Sequence, residues 1–296
     1  MASPRLISSI SEIRAAVREF QRAGKTVGLV PTMGALHEGH LSLVQRAKSE
    51  CNVAVATIFV NPAQFAPHED FSKYPRTLEA DLQALATANC DLIFVPSREE
   101  MYPHGDSTFI EPPQVAQPLE GVCRPGHFRG VATVVLKFFN IIPVDKAYFG
   151  QKDFQQALVI QRMVADLNVP VQVLVCPIVR EPDGLAMSSR NRYLSSSQRQ
   201  QAMALSRALA DVQAAVSRGV RDAAMLAADM RRTLKGAGIE RIDYAMLANP
   251  NTLVELTKLE GPAVALIAAL VGKTRLIDNC LLTAPGGSLP TGQAQG

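Results

Sequence analysis

The feature that most constrains the fold is a series of short apolar runs alternating with stretches of helical periodicity through about residue 176. Residues 26–31, 53–60, 92–95, 147–149 and 171–175 read as strands. Residues 11–22, a stretch ending near 48, and residues 77–88, 131–142 and 154–167 read as helices. Strands covered on both faces appear as continuous apolar runs, and parallel neighbours need a helical crossover between them. The pattern predicts an α/β fold: a Rossmann-like parallel sheet with helices on both faces. Ligands of such sheets sit beyond the carboxyl ends of the strands. The loops after Val30, Val60, Phe149 and Val175 are therefore the places to look for function.

The texture changes after about residue 180. Residues 196–218 and 221–235 form Ala-rich helical stretches, and 242–247 and 263–271 read as strands, which predicts a smaller C-terminal α+β domain. The expected division is residues 1–183, residues 184–284, and a Gly-, Gln- and Pro-rich tail, 285–296, without order. Hydrophobic residues make up 47%, enough for normal cores, so a disordered chain is excluded. The formal charge is only +3 and the pI near 8.6, which argues against a dedicated nucleic-acid partner. The longest apolar run, residues 263–271, falls far short of the ~20 residues that span a bilayer. The first twenty residues meet a charge every few positions and offer no signal-peptide core. Five widely spaced cysteines without a C-x-x-C fit reduced thiols, so a cytoplasmic location and no membrane partner are expected.

All five histidines fall within the first 127 residues. Two of them close the segment after the first strand, Pro31-Thr-Met-Gly-Ala-Leu-His-Glu-Gly-His40. Gly34 and Gly39 have the glycine spacing of a P-loop, but His40-Leu41 stands where Lys and Ser/Thr are required. Gly272-Lys273-Thr274 fails too, because Ile267 replaces the first glycine. His37 and His40 are three apart, whereas a zincin needs four. What remains is two imidazoles one turn apart at a helix mouth, where free N–H groups and the helix dipole favour an anion. Asn61 and Gln64, after the second strand, are neutral groups suited to hydroxyl or amide recognition, although an Asx-turn explains Asn61 equally well. Gly150-Gln-Lys152-Asp153 puts a cation at another strand-to-helix turn, although simple capping by Asp153 explains it as well. Met187-Ser-Ser-Arg190 offers two hydroxyls and a guanidinium for an anion, although an ordinary helix-leading loop explains it as well, and Arg124-Pro-Gly-His127-Phe-Arg129-Gly130 has the punctuation either of a cationic lid or of a plain solvated loop.

Together with Phe59-Val-Asn-Pro-Ala-Gln-Phe65, Tyr74-Pro-Arg-Thr77 and Phe149-Gly-Gln-Lys-Asp-Phe-Gln-Gln156, these stretches resemble the pantoate–β-alanine ligase (pantothenate synthetase) family. That family shares a histidine-x-glycine-histidine signature with class I aminoacyl-tRNA synthetases. The resemblance spans residues 26–194, and the C-terminal third adds little to it. It implies ATP-dependent condensation of pantoate with β-alanine through a pantoyl adenylate, releasing AMP and pyrophosphate. It implies that Met33, Gly34, Ala35, Leu36, His37, Glu38, Gly39 and His40 lie along ATP, with His40 the donor to the reacting phosphate and His37 its companion. Lys152 would meet the phosphates, and Ser188, Ser189 and Arg190, next to Met187, would clamp pyrophosphate. Gly150, Asp153 and the Val179 backbone would hold the nucleoside, Gln151 and Met187 would also line ATP, and Gln64, Gln156 and Asn61 would bind pantoate or β-alanine. The smaller domain would close over this site. Mg²⁺ would arrive with ATP and no protein-built metal site is implied. A homodimer is implied as well.

Three other readings stay open on the residues alone. An adenylyltransferase for another acceptor would lack the Phe59–Phe65 and Gln156 elements as substrate readers. A metal-dependent hydrolase would use His37, His40 and a third ligand such as His68 or Asp70. A nucleotide-binding module would use the same loops without catalysis.

Overall fold

The computed structural model describes residues 4–66, 69 and 71–283. The expected disordered tail therefore falls outside the described residues, as do His68 and Asp70. Two compact units emerge: Met1–Gly150 with Gln155–Pro177, and Gln151–Phe154 with Ile178–Gly296.

The first unit carries a six-stranded parallel sheet in the order β1-β4-β3-β2-β5-β6. Its strands are β1 (Arg5–Ile7), β2 (Val27–Thr32), β3 (Val53–Ile58), β4 (Leu92–Phe94), β5 (Lys146–Gly150) and β6 (Gln172–Cys176). The longer helices are α1 (Ile10–Arg22), α2 (Glu38–Glu50), α3 (Leu78–Thr87), α6 (His127–Ile141) and α7 (Phe154–Asp166), with α4 (Arg98–Met101) and α5 (Glu120–Cys123) as single turns. Alternate side chains of each strand point to opposite faces, and the apolar clusters sort accordingly. Val27, Leu29, Val53, Val55, Leu92 and Phe94 pack with α1, α6 and α7. Val30, Ala54, Ala56 and Ile93 pack with Leu43, Val44 and Ala47 of α2 and Leu85 of α3. Helices thus cover both faces, as the apolar runs predict. After β2 the chain winds outward through β3 and β4, then returns to place β5 on the other side of β2. In sheets of this kind the ligand crevice lies where the order reverses, here at the carboxyl ends of β2 and β5.

The second unit is α+β, also as predicted. Strands β7 (Ile242–Ala248), β8 (Ala263–Val271) and β9 (Thr274–Leu282) form an antiparallel sheet, with α8 (Ser196–Ser217) and α9 (Ala223–Gly236). Leu205, Leu209 and Val212 of α8 and Leu226, Met230 and Leu234 of α9 share one apolar cluster with Ala265, Ile267 and Leu276 of the sheet. No helix among the described residues is long and apolar enough to cross a membrane.

Candidate active site

The loop leaving β2 is built around a carboxylate. Asp81, in the first turn of α3, is 2% exposed and accepts the Ala35 N–H at 2.9 Å and the Leu36 N–H at 2.8 Å. The Thr77 hydroxyl donates to the same carboxylate at 3.3 Å. Thr32 Oγ1 donates to the Thr57 carbonyl at 2.6 Å and accepts the Gly34 N–H at 3.2 Å. These bonds hold a turn in which Gly34 has φ of 80° and Ala35 of 50°. A Cβ on Gly34 would also approach Asp81 Oδ2 to 3.0 Å, so glycine suits that position on both counts.

Helix α2 follows at once, and its two histidines cap it. His37 is the N-cap: its Nδ1 accepts the Gly39 N–H at 3.1 Å, and His40 Nδ1 accepts the His37 N–H at 3.4 Å. A ring nitrogen that accepts carries no proton, so each neutral imidazole keeps its hydrogen on Nε2. The rings lie 4.1 Å apart between centroids. Capping therefore engages Nδ1 of each ring and puts the ring proton on Nε2, at the helix end that carries partial positive charge. Glu38 is exposed and Gly39 half-buried in this first turn.

Asn61 caps, and Gln64 ends, a 3-10 turn, Pro62–Gln64, after β3. Asn61 is 1% exposed. Its Nδ2 donates to Gln64 Oε1 at 3.0 Å and the Gly130 carbonyl at 3.1 Å. Its Oδ1 accepts the Ala63 N–H at 3.3 Å and the Tyr102 hydroxyl at 2.8 Å. All its hydrogen-bonding capacity is thus turned inward, onto Gln64 among others. Gln64 Nε2 in turn donates to Met33 Sδ at 3.1 Å, which joins this turn to the β2 loop. On α7, the Gln155 side chain is engaged by the Val115, Pro118 and Glu120 backbone groups. Gln156 is half-buried beside it, and its side chain makes no hydrogen bond to another described residue.

The stretch expected to form a cationic lid braces this turn instead. Arg124 grips Glu69 with two bonds of 2.7 and 2.9 Å and donates from Nη1 to His127 Nε2 at 3.0 Å. A guanidinium can only donate, so His127 carries its proton on Nδ1 and donates it to the Gln64 carbonyl, 2.9 Å away. Arg129 lies 4.0 Å over the Phe109 ring. His127 and Gly130 belong to buried α6, and Arg124 is held by Glu69, so neither the histidine nor this arginine sits on a lid. Gly130 is required by close approach: a Cβ there would stand 2.2 Å from the Ala63 carbonyl oxygen and 2.6 Å from Gln64 N. Gly130→Ala is expected to cost about 3 kcal/mol or more in urea unfolding, because the obstructing atoms are backbone.

Desolvation, and after it the Arg124 charge, pushes the His127 pKa down to about 4 from 6.5. Burial alone would raise the Glu69 carboxyl, but Arg124 overrides it and holds the group below the usual carboxylate range. The unfolded chain binds the His127 proton more readily than the folded one between these two values. Stability is therefore fully present above about pH 6.5 and falls as the pH drops toward 4. Between about pH 7 and about pH 5 the loss from this residue is on the order of 2 kcal/mol. Urea unfolding of His127→Asn should show that much less slope over the same interval, and an unchanged slope refutes the assignment.

The second unit holds the remaining candidates. Gln151–Asp153 form a 3-10 turn directly after β5, with Lys152 Nζ 3.8 Å from Asp153 Oδ1. The Val179 carbonyl accepts the Met187 N–H at 3.0 Å, and Arg180 pairs with Ala186, so residues 179–187 form a tight hairpin-like loop. Arg199 of α8 fastens that loop through Glu181 and, at 2.8 Å, Asp183. Ser188 caps the 3-10 turn Ser189–Tyr193, its Oγ accepting the Arg190 N–H at 3.3 Å. Ser189 is buried and Arg190 half-buried. Gly150, in the first unit, ends β5 with open space where a Cβ would stand. Among the described residues no group of three or more His, Cys, Asp or Glu side chains is placed to hold a metal ion.

A strand order that reverses beside a histidine-capped helix N-terminus defines the doubly wound α/β class, whose ligands occupy that crevice. Comparison with known proteins narrows the class. Residues 5–281 match the family model described as pantoate-beta-alanine ligase. Pantothenate synthetase from Acidobacterium capsulatum is 52% identical over 289 residues, covering 94% of this chain and 97% of that protein. The crystal structure of pantothenate synthetase from Thermus thermophilus superposes with a TM-score of 0.89 at 44% identity, covering 93% and 98% of the two chains. The Francisella tularensis pantoate-beta-alanine ligase, solved with beta-gamma ATP and beta-alanine, gives 0.76 at 35% identity over 94% and 97%. The chain belongs to the pantoate–β-alanine ligase family, and it is an enzyme that joins pantoate to β-alanine.

Proposed function

We propose that the chain condenses pantoate with β-alanine in two steps driven by cleavage of one ATP to AMP and pyrophosphate. The pantoate carboxylate attacks the α-phosphorus of ATP, the bond to the β-phosphate oxygen breaks, and pyrophosphate leaves. The β-alanine amine then attacks the acyl carbon of pantoyl adenylate and displaces AMP. The observation that carries this reading is the 3.1 Å bond from Gln64 to Met33, which couples an acid-reading amide to the loop before the histidine-capped helix.

The chemical difficulty is charge, since a carboxylate must approach a polyanion. No enzyme nucleophile is needed; positioning and preorganised donors do the work. The Nε2–H groups of His40 and His37 supply donors at the α2 N-terminus. Lys152 supplies a point charge, and Ser188, Ser189 and Arg190 hold the departing pyrophosphate. Gly150, Gln151, Asp153 and Val179 hold the nucleoside. Gln64 and Gln156 read pantoate, and Gln64 also β-alanine, while Asn61 contributes by fixing the Gln64 amide. Mg²⁺ enters with ATP as part of the substrate. The same reading carries a cytoplasmic homodimer, for which sedimentation should return about twice the 31.9 kDa of one chain.

The deciding experiment is ATP–pyrophosphate exchange with pantoate and without β-alanine. Label should enter ATP only when pantoate is present. Exchange that needs β-alanine, or that ignores pantoate, sinks the two-step order.

A further inference from the structure

Two adjacent residues on β9 are polar and deeply buried: Asp278 and Asn279, each 2% exposed. Neighbours in a strand point to opposite faces, so one environment cannot explain both. Leu276 and Cys280 share the Asp278 face and are buried in the apolar cluster. On the other face Arg275, Ile277 and Leu281 are only half-buried, and Asn279 alone is sealed. What it meets there is the Gln151–Asp153 turn. Asn279 Nδ2 donates to the Gln151 carbonyl and to the Lys152 carbonyl, both at 3.0 Å. Its Oδ1 accepts from Gln151 Nε2 at 3.2 Å.

Asp278 acts on the other side. Its carboxylate takes the Arg180 guanidinium in two bonds of 2.7 and 3.0 Å, and Arg180 Nη1 also donates to the Gly184 carbonyl at 3.1 Å. Asp278 Oδ1 further accepts the Asn279 N–H at 2.8 Å, which ties the pair together.

We infer that Asn279 is a positioning residue for Lys152. The inference rests on the proposed role of Lys152 at the ATP phosphates. A lysine is a point charge on a flexible stem, so where its ammonium can go is set first by where its backbone is held. A three-residue 3-10 turn has little internal hydrogen bonding of its own. Asn279 supplies two donors and one acceptor from a rigid strand, matched to two carbonyls and one amide N–H. Aspartate at this site would turn anionic oxygens toward two carbonyl oxygens. Serine could not reach both. Misplacing a reacting group by about 1 Å can cost roughly 10²-fold in rate.

The test is a double-mutant cycle in pantoate-dependent ATP–pyrophosphate exchange, using Asn279→Asp, Lys152→Ala and the double variant, with thermal unfolding as the folding control. Asn279→Asp is expected to lower the exchange kcat by about 10- to 100-fold with little change in the pantoate KM. In the Lys152→Ala background it should cost almost nothing further. Asn279→Ser, uncharged and small, should repeat the result and serves if the aspartate variant unfolds. A wild-type rate in either variant overturns the inference, as does a full additional loss in the Lys152→Ala background, which marks a role in general structure. Normal exchange by Lys152→Ala itself overturns the reading beneath it, and that arm tells the two failures apart.

Discussion

His40→Ala is expected to fold as the parent does and to lose pantoate-dependent ATP–pyrophosphate exchange by about 10²- to 10³-fold, the usual cost of one transition-state donor. Lys152→Ala should fall in the same range. The capping contact of His40 is separable from its proposed role as a donor. Its Nδ1 caps the His37 N–H over a long 3.4 Å bond, while the main cap, from His37 Nδ1 to Gly39, stays when His40 is removed. The stability cost of the alanine variant is therefore confined to roughly 1 kcal/mol. His40→Gln sharpens the test, because glutamine at the third helical position restores a capping box without an imidazole. It should recover the lost stability and little of the rate. Near-wild-type exchange by a folded His40→Ala protein removes the residue from the mechanism.

Each sheet is legible in the sequence where a central strand is buried on both faces. Residues 53–60 and 263–271 are apolar almost without interruption, and β3 and β8 fall there, β8 with the same bounds. The strands that escape such a reading have the opposite character. β1 is three residues at the sheet edge, and β9 is broken by Asp278-Asn279 in the middle of its alternation. Those polar residues are buried because of partners far away in sequence, Lys152 and Arg180, which no local pattern announces. Asp81 escapes for the same reason: within its own helix it looks like a first-turn acid that complements the dipole. Its partners are loop amides 45 and 46 positions earlier. The segment 124–130 misleads because Gly, Pro and cations resemble a lid until Glu69 is seen to neutralise Arg124. Within the site, spacing alone does not say that Asn61 is saturated or that Gln155, rather than Gln156, is structural. Residue types locate the chemistry; hydrogen-bond partners distribute the roles.

The second large effect concerns stability as much as rate. Asp81→Ala is expected to cost about 3 to 5 kcal/mol in urea unfolding, a large share of the roughly 5 to 15 kcal/mol that stabilises a typical domain. It leaves the buried Ala35 N–H without its acceptor, and the Leu36 N–H and Thr77 hydroxyl lose theirs, at about 1 to 3 kcal/mol per buried group. The loop these bonds hold is itself unfavourable, since Ala35 sits at a positive φ that costs an L-residue about 1 to 2 kcal/mol. That strain is no longer offset once the carboxylate is gone. Asp81→Asn is the discriminating partner. It keeps one acceptor oxygen but turns an NH₂ group toward a backbone N–H, so a donor faces a donor, and about half of the loss should persist. Because the Gly34–Leu36 turn leads directly into His37, both variants should also raise the KM for ATP more than that for pantoate. An Asp81→Ala protein within about 1 kcal/mol of the parent would mean that the loop is held by Thr32 and the α2 cap alone, and that the buried carboxylate is dispensable to it.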